Sequence, residues 1–92
     1  MELIKVSARS VPKLAAGAIA AVVREKGAVE IQAVGAGAIN QAVKSIAIAR
    51  TYTEGEGLNL LCKPAFKNVL IEETEKTAMQ FIVENVIVNS PA

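Results

Sequence analysis

Ninety-two residues, 52% of them apolar but only three aromatic, specify one domain with a modest core built from Ala, Val, Ile and Leu, and exclude a disordered chain. Ten basic residues against nine acidic ones leave a net charge of +1, so any attraction for a polyanion has to be local. The single cysteine, Cys62, admits no intramolecular disulfide, and the chain shows no secretory leader pattern and no apolar run long enough to span a bilayer. These features set the expectation of a cytoplasmic protein without a membrane partner.

In chain order, Glu2 to Ser7 is rich in strand formers and reads as a first strand, closed by a loop from Ala8 to Val11. Ser10 is placed to cap a helix whose first turn holds Pro12. Its apolar positions Leu14, Ala15, Ala18, Ile19, Val22 and Val23 recur at helical spacing until Lys26-Gly27 ends it. Ala28 to Val34 alternates strictly, with Val29, Ile31 and Ala33 on one face, and forms the second strand. The run Val34-Gly35-Ala36-Gly37-Ala38-Ile39-Asn40 then makes a glycine hinge into a second helix over about Ala38 to Thr51. Ile39, Ala42, Val43, Ile46 and Ala47 are its expected inward stripe, with Gln41, Lys44 and Ser45 on the far side.

After the turn Glu54-Gly55-Glu56-Gly57, Leu58 to Cys62 reads as a third strand that Pro64 assigns to a sheet edge. Lys67 to Lys76 reads as a link, and Thr77 to Val83 as the fourth strand. Residues 1–85 thus make one α+β domain of order β-α-β-α-β-β, two layers deep, with both helices on one face of a four-stranded mixed sheet. Residues 86–92 form a tail whose Val86-Ile87-Val88 either extends the last strand or packs on a partner. That tail and Ile48, which falls among polar neighbours on the second helix, are the candidate surface for homodimers or higher oligomers.

The loops before the two helices leave the same sheet edge if the first three strands run alike. Arg9, Ser10 and Lys13 would then stand beside the amides of Gly35 and Gly37, the Asn40 side chain and Lys44, a cationic setting suited to phosphate. Glycines between a strand and a helix also serve to close the turn and let the helix pack, and the residues alone leave both readings open. Asn40 stands where a dinucleotide fingerprint has its third glycine, and Lys44 lies too far along the helix for a phosphate-loop lysine. The chain has no histidine and no aspartate, which removes the usual general base and metal ligands, so neither catalysis, cofactor nor metal is expected. Cys62 between apolar strand neighbours reads as a buried, inert thiol. Glu72, Glu73 and Glu75 read as a solvated hairpin tip.

The stretches Ile4-Lys5-Val6-Ser7-Ala8-Arg9-Ser10, Ala15-Ala16-Gly17-Ala18-Ile19-Ala20, Glu30 through Lys44, and Ile46-Ala47-Ile48-Ala49-Arg50 resemble the stage V sporulation protein S family over about the first 85 residues. That family is similar in fold to the Alba proteins, small dimeric domains that bind DNA or RNA, and its members act in bacterial sporulation and development. The resemblance implies a phosphate-contacting loop at Arg9 to Lys13 and a glycine-containing helix opening at Gly35 to Asn40. One arginine and a serine stand where Alba loops commonly carry paired lysines, and the hairpin arm, expected to be short, carries glutamates where Alba arms are often basic. The implied binding to nucleic acid is therefore weak and non-specific. A protein-interaction module recruiting a division or developmental factor, and a nucleotide or phosphometabolite sensor, are the alternatives.

Overall fold

The computed structural model describes residues 1–86 and contains six elements: β1 (Leu3–Val6), α1 (Pro12–Lys26), β2 (Ala28–Ala33), α2 (Ala36–Glu54), β3 (Leu60–Ile71) and β4 (Thr74–Asn85). The strands form one sheet in the order β1-β2-β4-β3. β1 is parallel to β2, and β4 runs antiparallel to both β2 and β3, which makes the sheet mixed as expected.

The strict alternation of β2 sets the two layers. Val29, Ile31 and Ala33 are buried and share one core cluster with Ile19 and Val23 of α1 and Ala38, Ala42, Ile46 and Ala49 of α2, so both helices lie on that face. Ala28, Glu30 and Gln32 look out on the helix-free face. α1 stops at Gly27, whose φ of 83° places it in the left-handed region and lets its N–H donate to the Val23 carbonyl at 2.9 Å.

Both helices are rotated from the expected stripes. α1 buries Ala16, Ile19, Ala20 and Val23 and leaves Leu14 74% exposed and Ala18 outward. α2 buries Ala38, Ala42, Ser45, Ile46, Ala49 and Thr53, while Val43 and Ala47 are exposed. Ser45, expected on the far side, is fully buried because its hydroxyl donates to the Gln41 carbonyl at 2.7 Å and so brings no unsatisfied polar atom into the core. Ile48, expected on the surface, is half-buried and packs against the core cluster.

The hairpin is longer than expected. β3 and β4 each run for 12 residues and pair from Leu60↔Asn85 to Ile71↔Thr74, so the segment from Lys67 to Lys76 is strand on both sides of a two-residue turn at Glu72-Glu73. Pro64 sits on the edge strand, where its missing N–H leaves no neighbouring strand unpaired. Val86 donates to the Asn59 carbonyl at 2.9 Å and is half-buried in the fold, whereas Ile87 and Val88 lie outside the described residues.

Candidate nucleic-acid interface

β1 and β2 end side by side, with Val6 in register with Ala33, so the loops that open α1 and α2 leave one edge of the sheet. The first loop is folded on itself. Ser10 N–H donates to the Ser7 carbonyl at 3.1 Å, Ser7 N–H to Ser10 Oγ at 2.9 Å, and Arg9 N–H to Ser7 Oγ at 3.2 Å. These bonds occupy the Ser10 hydroxyl, which therefore does not cap α1. The N-cap is Val11, without a side-chain cap, and its carbonyl accepts from both Leu14 and Ala15 at 3.0 Å.

The second loop turns at Gly35, whose φ of 89° and ψ of 156° suit glycine alone. The first helical bond of α2 runs from Ile39 N–H to Gly35 O at 3.0 Å, so the N–H groups of Ala36, Gly37 and Ala38 precede the helical ladder. Gly37 needs to be small for a separate reason: a Cβ there would stand 3.0 Å from the Ala8 Cβ. Gln41 Nε2 then donates to the Ser10 carbonyl at 3.0 Å, from one loop's helix to the other loop's backbone. Segments some thirty positions apart are thus locked into a single rim.

Arg9 and Lys13 are exposed on the first half of this rim, and Asn40 and Lys44, one helical turn apart, are exposed on the second. Among the described residues the ion pairs are Arg24–Glu56 at 2.8 Å, Lys26–Glu2 at 3.7 Å and Lys67–Glu30 at 2.6 Å. Arg9, Lys13 and Lys44 belong to none of them, so their charge faces water.

The hairpin arm leaves the same end of the molecule, because Met79 is in register with Ala33 and residues 67–78 extend beyond it. The alternation along β3 shows which way the arm curls. Ala65, Lys67 and Val69 are half-buried while Pro64, Phe66, Asn68 and Leu70 are exposed, so the arm turns the first set toward the helix-free face. Lys67 Nζ meets Glu30 Oε2 there at 2.6 Å. That hydrogen bond holds the Glu30 carboxyl below its ordinary pKa of 4.5, against the opposing effect of burial and with a smaller contribution from Gln80. The arm walls a second side of the rim region and carries Glu72, Glu73 and Glu75 at its end, none of them ion-paired to a rim cation. Lys67 to Lys76, expected as a link, is the strand-paired end of this wall. The signal for it was Ala65, Lys67 and Val69 at a spacing of two.

Cys62 is exposed on the edge strand, contrary to the expectation of burial. Partial desolvation raises its thiol pKa, which keeps it protonated near neutrality.

A family model for stage V sporulation protein S matches residues 2–86. The chain belongs to that family. The match spans all six elements, including both rim loops and the whole arm. As a member of this family the chain is a sporulation-related protein, and the six-element order expected from its sequence pattern is the one it adopts. Among the described residues no helix of this family member is long and apolar enough to cross a membrane.

Proposed function

We propose that this member of the stage V sporulation protein S family is a non-enzymatic, cytoplasmic regulator that binds DNA or RNA weakly, and without sequence preference, through the rim of its two helix-opening loops. The observation that carries the reading is the contact between those loops: the Gly37–Ala8 approach and the Gln41–Ser10 bond hold the loop of Arg9 against the opening of α2, with Lys13 exposed in the first turn of α1 and Asn40 and Lys44 exposed along α2. Unpaired helix amides and unneutralised cations converging on one edge suit successive phosphates of a backbone, and phosphate contacts carry no sequence information. The acidic arm end works against tight binding and accounts for the weakness proposed.

The proposal includes self-association. Phe66 stands 79% exposed on the arm, and pairing two copies would cover it and present two rims to one nucleic acid.

Fluorescence anisotropy of a labelled duplex at several salt concentrations tests the rim, comparing the wild type with an Arg9→Ala, Lys13→Ala variant. Loss of two phosphate contacts should weaken binding at every sequence and reduce the slope of log K against log salt by roughly 2. An unchanged affinity and slope refutes the site. Saturable thermal stabilisation by a mononucleotide with no polynucleotide binding would instead favour a small-molecule sensor.

A further inference from the structure

A cavity of about 370 Å³ opens between the arm and the ends of β1 and β2, and none of the seven residues expected at the rim lines it. Its size falls at the lower end of small-ligand sites, roughly 300–1,000 Å³. Val34, Leu70 and Ile71 give it apolar walls, and Lys5, Ser7 and Gln32 give it three polar groups of different kinds. Leu70 and Ile71 come to it from the end of the arm, next to its turn.

Gln32 is the informative member. It is half-buried on β2, in register with Lys5 of β1 on one side and Gln80 of β4 on the other, yet its carboxamide enters none of the hydrogen bonds among the described residues. A carboxamide held by a strand offers a donor and an acceptor side by side, the pattern that pairs with a nucleobase edge. Lys5, exposed and outside every ion pair of the described residues, supplies a cation next to it.

We propose that this cavity takes one nucleotide unit, its base lodged against Val34, Leu70 and Ile71, its edge on the Gln32 carboxamide and its phosphate on Lys5. The inference rests on the polyanion reading of the adjoining rim and sharpens it. A base inside a duplex is stacked and paired and does not enter such a cavity, so the rim's ligand is single-stranded where it passes the arm.

The test titrates the full-length, ¹⁵N-labelled protein with adenosine monophosphate, a short single strand and the duplex of the same sequence, following the Gln32 side-chain amide by NMR and affinity by anisotropy. The mononucleotide and the single strand should shift the Gln32 amide and the duplex should not. Gln32→Leu, which keeps the volume, should weaken single-strand binding roughly fivefold, the worth of about one hydrogen bond, while leaving duplex binding and the salt slope alone. Lys5→Gln, a surface change, should weaken the single strand in the same sense. A Gln32 amide that stays put while Arg9→Ala, Lys13→Ala still flattens the salt slope overturns the cavity and leaves the rim standing. A wild type that binds no oligonucleotide at low salt takes both down.

Discussion

Gly35 and Gly37 sit two positions apart and are required for different reasons. Gly35 supplies a backbone conformation that a side chain would strain, whereas Gly37 has ordinary angles and is small because Ala8 is against it. The sequence pattern marks both positions but does not separate these roles. The Lys67–Glu30 pair is a second case in which single residues decide the geometry, since it fastens the arm to the helix-free face. Replacing Lys67 by Met should destabilise the fold at neutral pH by about 0.5–1 kcal/mol, the range of partly exposed pairs. Because the folded state lowers the Glu30 pKa below 4.5, the pair's contribution is complete above that value and is lost as pH falls through the lower folded pKa. Urea unfolding of wild type and variant should therefore differ at pH 7 and converge in acid. A difference that persists there would assign the effect to packing of the lysine stem instead.

At the scale of elements, existence and order were legible and helix orientation was not. α1 and α2 carry Ala on nearly every face, so several stripes satisfy the helical period equally well. The stripe that faces inward combines Ile19, Val23 and Ile46 with small side chains, Ala16 and Ala20 on α1 and Ala38, Ala42, Ser45 and Ala49 on α2, which let the helices approach each other and the sheet closely. Leu14, apolar and at the right spacing, ends up outside. The hairpin is marked in the sequence only by the spacing of two at Ala65, Lys67 and Val69, because an arm with solvent on most of its surface has only a shallow burial gradient to impress on the chain. Its turn places Glu72 and Glu73 at φ of 50° and 65°, in a region where side chains are disfavoured. Glu72→Asn with Glu73→Gly, the residues such two-residue turns favour, should stabilise the protein by about 1 kcal/mol. Thermal unfolding checks this, and an unchanged or lower midpoint would show that the glutamates make a compensating contact.

For the whole molecule, the arm draws the fold out to 52 × 24 × 20 Å and carries its apolar side chains away from the core. Ile48 and Val86, expected to mediate association, are half-buried in the fold, and the proposed contact between copies is placed at Phe66. Sedimentation velocity should find the wild type larger than a monomer and Phe66→Glu shifted toward the monomer, with the circular dichroism of the two alike. A wild type that is monomeric at all accessible concentrations would remove self-association from the proposal and leave the rim as a single site. If copies do pair, the same variant should also weaken binding to a long oligonucleotide more than to a short one, because only the long one reaches both rims.

By itself the sequence determined the order of elements, the hinge glycines, the edge position of β3 and the family, since alternation, capping residues, Pro64 and the motif runs are all local and survive without coordinates. The tertiary structure alone decided that the two loops touch, which helix faces are buried, and that the end of the arm flanks an open cavity beside Lys5 and Gln32. Those outcomes depend on contacts between residues tens of positions apart, and a one-dimensional pattern carries no record of which distant side chain will stop an approach, as Ala8 does at Gly37, or anchor a bend, as Glu30 does for Lys67.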